Sequence, residues 1–99
     1  MERIRCKEIV LESYAVGTMD IMEYADKHPN EYFDFTSVHS KHTDFGWLMV
    51  SEDEPDASTL ECFERGIYEW HNLPNGWQRF NFGFSWLCHK NGRYIIITS

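Results

Sequence analysis

No stretch of this sequence offers the run of about 18 apolar residues that a membrane-crossing helix needs. No cysteine spacing reads as a zinc module or a disulfide framework either. The three cysteines, Cys6, Cys62 and Cys88, are odd in number and far apart, which points to thiols in a reducing compartment. The opening residues, MERIRCKEIVLES, are charged from the second position and lack the apolar core of a secretion signal, so the expected location is cytoplasmic and membrane attachment is not expected. Glycine-rich phosphate loops, a P-loop lysine and a nucleophile elbow are all missing. Cations are scarce in the middle of the chain. Between residues 17 and 72, Lys27, Lys41 and Arg65 face 13 carboxylates, a balance of minus ten within a net charge of minus seven. Affinity for nucleic acid comes largely from cations that neutralise phosphates, so direct nucleic-acid binding is not expected and a basic protein surface is the favoured partner.

Aromatic side chains are abundant, at 16% of 99 residues. Each buries a large area, so a single small domain over residues 1–99 can build a core from them without disulfides. Residues 3–12, RIRCKEIVLE, alternate as a strand does. Gly17 then breaks the pattern, and Thr18 is placed to cap a short helix with Met19, Met22 and Ala25 on one face, ending before Pro29. EYFDFTSV (31–38) and DFGWLMVS (44–51) read as two strands of a hairpin joined by HSKHT, with Phe45, Trp47 and Met49 sharing a face. Ser58 and Glu61 form a capping-box pair for a second helix whose stripe is Leu60, Phe63, Ile67 and Trp70. Gly66 falls inside that helix at a cost of about 1 kcal/mol relative to Ala, and Asn72, Pro74 and Gly76 end it.

The segment QRFNFGFSWLCH places Phe80, Phe82, Phe84, Trp86 and Cys88 at every second position, the pattern of one core strand. A two-residue turn at Asn91 and Gly92 then pairs Lys90 with Arg93, His89 with Tyr94, Cys88 with Ile95 and Trp86 with Ile97. The expected fold is α+β, an antiparallel sheet of about five strands with two helices in the order β-α-β-β-α-β-β, which resembles the ferredoxin-like arrangement.

Two kinds of function fit these residues. Glu52, Asp53, Glu54 and Asp56 lead into the second helix, and with Glu61, Glu64 and Glu69 they make an acidic strip able to meet a basic cleft. Tyr68 and Trp77, the latter expected at the surface after LPNG, would supply aromatic anchors. On this reading the chain is a small inhibitor that blocks the nucleic-acid-binding or substrate surface of another macromolecule. Phage-encoded anti-defence proteins and immunity proteins are small proteins of that kind, and no catalytic residue, metal or cofactor is assigned. The alternative is a small nuclease-like enzyme, histidine-dependent or metal-assisted, built on His39 and His42 with Asp44 nearby, Cys88 and His89 as further ligands and Arg79 or Arg93 as the phosphate cation. Self-association through a sheet edge is compatible with either.

Overall fold

A strand followed by a helix and a second strand is the unit that lets two neighbouring strands run parallel, because the helix carries the chain back to its starting end. The computed structural model, which describes residues 3–44 and 46–99, begins with this unit: β1 (Ile4–Leu11), α1 (Thr18–Lys27) and β2 (Glu31–Ser40), with β1 and β2 parallel. β3 (Leu48–Glu52) pairs antiparallel with β2. The chain then passes through α2 (Ala57–Glu64) to the far edge of the sheet. It returns as a meander of β4 (His71–Asn72), β5 (Gln78–Phe82), β6 (Ser85–Lys90) and β7 (Arg93–Thr98), and β7 closes against β3. The result is one seven-stranded mixed sheet in the order β1-β2-β3-β7-β6-β5-β4.

This corrects the expected antiparallel sheet of about five strands and its ferredoxin-like order. Both edges and the parallel pair lie outside that scheme. The antiparallel pairing of β2 and β3 is as expected, although β3 begins at Leu48 and not at Asp44, and Phe45, expected to share a face with Trp47 and Met49, lies outside the described residues. Trp47 and Met49 do fall on one face.

The largest departure comes from two residues. Gly83, at φ +64°, and Phe84 form a tight turn, so that Phe82 pairs with Ser85, Asn81 with Trp86 and Phe80 with Leu87. QRFNFGFSWLCH is therefore two strands. A two-residue turn matches even positions on one side with odd positions on the other. Phe80 and Phe82 thus share a face with Leu87, while Trp86 and Cys88 point through the opposite face with Arg79. The Asn91-Gly92 turn, in contrast, gives the four expected pairs.

α2 is also shorter than its apolar stripe suggests. Its N-cap is Asp56, whose Oδ1 accepts the Thr59 N–H at 3.0 Å, in place of Ser58. Gly66 stands just past the end at φ +77°. There the Ile67 N–H donates to the Cys62 carbonyl and the Gly66 N–H to the Phe63 carbonyl, a Schellman closure that favours a left-handed glycine. Ile67 and Trp70 belong to the segment after the helix.

The two faces of the sheet are filled differently. Against α1 lie Ile9, Phe33, Val38, Leu48, Val50, Cys88, Ile95 and Ile97, closed by Ile21, Met22 and Ala25 of the helix. On the opposite face, α2 and residues 65–70 set Phe63 against Phe80 at 5.2 Å and Trp70 at 4.0 Å, with Tyr68 4.7 Å from Phe80, beside buried Leu87. The β1–β3 half of that second face leaves Val10 and Trp47 exposed. β2 carries an irregularity here: Phe35 takes φ +47° and projects its ring into solvent, while the buried Thr36 hydroxyl beneath it donates to the Cys6 carbonyl.

Candidate functional site

Charge on this protein sorts by partner. Among the described residues, seven of the nine lysines and arginines are held in ion pairs with its own carboxylates. Arg93 is the most constrained of them. Its guanidinium grips both Glu52 carboxylate oxygens at 3.1 Å and donates to the carbonyls of Ala25, at the end of α1, and Glu31, at the start of β2, at 2.8 Å each. Arg3 adds a second cation 2.6 Å from Glu52. Five donors in a fixed fork suit such a junction. The group ties the βαβ unit to β3 and β7. Arg79 donates to the Thr18 hydroxyl at 3.0 Å, so both candidate phosphate cations act within the fold.

Glu52 is therefore no part of an exposed strip. It points to the α1 side of β3 and is buried, because the alternation of the strand turns every second residue inward. Trp77 likewise is not a surface anchor: at 1% exposure it is among the largest fully buried side chains. The Asn75 side chain accepts the Trp77 backbone N–H, the indole N–H donates to Asp26 Oδ1 at 3.1 Å, and Lys90 reaches the same oxygen at 3.1 Å. Asp26 gives the indole a polar partner, which lets a tryptophan go fully inside. Nothing local to LPNG signals that partner 51 residues earlier.

The remaining members of the strip are at the surface. Asp53, Glu54 and Asp56 are exposed between β3 and α2, Glu61 and Glu64 are exposed on α2, and Glu69 is exposed beyond it. Hydrogen bonds from Thr59, with Ser58 adding another, hold the Asp56 carboxyl below its usual pKa. Glu61 faces Arg65 across 3.6 Å, a solvent-exposed pair of little energetic weight. Asp53, Glu54, Glu64 and Glu69 have no cation within ion-pair distance among the described residues. Tyr68 is half-buried in the aromatic cluster, with its ring 6.4 Å from that of Phe82.

Exposed apolar side chains that the sequence pattern assigned to the core flank this acidic surface. Phe84, on the β5–β6 turn, is 89% exposed, and Phe82 and Ile67 are more than half exposed. Between the N-terminal end of α2 and the meander opens a groove of about 240 Å³ lined by Pro55, Thr59, Phe82, Leu87 and Ile96. The signal for it was Gly83, which interrupts the alternating aromatics at a position suited to a two-residue turn.

The histidines do not converge. His39 lies on the open face of β2 with its ring 5.8 Å from that of Trp47, whereas His42 stacks on Tyr14 at 4.1 Å in the following loop and points Nε2 at Glu12 from 3.6 Å. Cys88 and His89, as neighbours in a strand, point to opposite faces. Burial pushes the Cys88 thiol up to about 12, so it stays protonated near neutrality. His89 is engaged on both ring nitrogens: Nε2 accepts the Gly92 N–H at 3.3 Å, which leaves the proton on Nδ1 to donate to Gln78 Oε1 at 3.2 Å. Burial depresses its pKa, and the ring serves as a neutral brace of the last hairpin. No group of three or more His, Cys, Asp or Glu placed to hold a metal ion occurs among the described residues.

No protein-family model, no curated protein and no solved structure matches this chain.

Proposed function

We propose that this protein is a small acidic inhibitor or immunity-type protein that docks onto a basic surface of another protein and occludes it. Its docking face comprises the loop before α2, the outward side of α2 and the segment after it. One observation carries the reading: among the described residues, seven of the nine lysines and arginines are in ion pairs with the protein's own carboxylates, while Asp53, Glu54, Glu64 and Glu69 stand exposed before, on and after α2 with no cation within ion-pair distance. Carboxylates left in this state steer a cationic partner and orient it on contact. The basic surface in question would be a cleft that handles nucleic acid or another anionic substrate, for which an array of carboxylates is a physical substitute. A role in a reducing, cytoplasmic setting agrees with three thiols, none of them in a disulfide.

The test is retention by the tagged protein in lysate, compared with a variant carrying Asp53→Lys, Glu54→Lys, Glu64→Lys and Glu69→Lys. The expected result is a basic protein held at low salt, released as salt rises through the physiological range, and lost from the variant, whose thermal midpoint stays near the parent's. Equal retention by both proteins would remove the acidic face from the function.

A further inference from the structure

We infer that the groove beside the N-terminal end of α2 receives one apolar side chain, of phenylalanine or leucine size, from a lysine- and arginine-rich segment of the partner. This rests on the reading above and names the chemistry of the segment that the acidic face meets.

The groove has the size for it. An apolar cavity of about 150 Å³ is enough to hold a benzene ring, and this one measures about 240 Å³. Its floor is Leu87 and Ile96, adjacent on β6 and β7, its walls are Pro55 and Thr59 on one side and Phe82 on the other, and Phe84 stands exposed at the neighbouring turn. The rim is what selects the occupant. Asp56 lines the groove, and Asp53 and Glu54 are exposed just before Pro55, so carboxylates stand on its Pro55 side. Cationic residues next to an apolar one complement that side of the rim. A second copy of this chain would bring its exposed Phe84 with a net charge of minus seven, and the same rim repels it.

The test uses two labelled nonapeptides of alternating lysine and arginine, one with phenylalanine at its centre and one with alanine, titrated in fluorescence polarisation against the full chain. Burying the ring should make the phenylalanine peptide bind about ten-fold more tightly. Thr59→Trp, which fills the groove from α2, and Ser85→Trp, which fills it from β6, should each abolish that difference while leaving the alanine peptide's affinity unchanged. If both peptides bind equally and with the same salt dependence, the groove takes nothing and this inference falls, while the acidic face stands. If neither peptide binds, the inference and the reading beneath it both fail. If sedimentation of the protein alone shows a dimer that Thr59→Trp disperses, the groove belongs to a second copy, and the inference is overturned.

Discussion

The two faces of the sheet are built from different materials. Toward α1, aliphatic residues and Trp77 are fully enclosed, and each polar group near them has a fixed partner: Thr36 on the Cys6 carbonyl, the indole on Asp26, Arg93 on Glu52 and two carbonyls. Toward α2, aromatic rings lean on one another while still half in water, and among the described residues Asp53, Glu54, Glu64 and Glu69 around them have no cation within ion-pair distance. The first face is where folding free energy is gained. The second is where the proposed partner would dock, because surface left apolar and charge left uncompensated are what a partner can cover.

The sharpest way to break this contrast is to truncate one large aromatic residue on each side. Trp77→Ala should destabilise the protein by about 3–5 kcal/mol, as other buried aromatic truncations do, in urea or guanidinium unfolding. Phe84→Ala should change stability by no more than about 0.5 kcal/mol. Equal losses would mean that the β5–β6 turn is part of the core. Next, Arg93→Met removes the fork that holds Glu52 and leaves that buried carboxylate with Arg3 as its cation. Breaking one partner from a buried pair costs about 3–5 kcal/mol, and the low end is expected here because Arg3 remains. Substituting the exposed Arg65, whose pair with Glu61 is solvated, should move the unfolding midpoint little.

The smallest effect concerns the way α2 ends. Gly66→Ala meets nothing within 4 Å, so its cost is that of holding a side chain at φ +77°, about 1 kcal/mol. Gly17→Ala, at φ −118° and with its nearest neighbour at 3.8 Å, should be close to neutral in the same unfolding assay. A neutral Gly66→Ala would show that α2 continues past Glu64, as its apolar stripe suggests.

Of the candidate site, the sequence made the exposed carboxylates legible but not their state of pairing. Glu52 and Asp53 are neighbours of the same type with opposite fates, since one points to Arg93 and the other to water. Trp77 and Phe84 exchanged their expected places for related reasons. A tryptophan goes inside when a distant acceptor is positioned for its N–H, and a phenylalanine in an alternating run goes outside when the glycine before it makes a turn. Neither outcome is local to the residue concerned.

Local chemistry by itself determined the strand character of most segments, the short first helix, the pairing of the last hairpin through Asn91-Gly92, and the concentration of negative charge before and along α2. Each of these depends on contacts within a few residues, where periodicity and turn preference are decisive. The parallel pairing of β1 and β2, the seven-strand order, the switch of face between Phe82 and Trp86, and the division between enclosed and open charge were decided only by the tertiary structure. They depend on groups tens of residues apart, on which way a strand faces once it is paired, and on where α1 and α2 lie across the sheet.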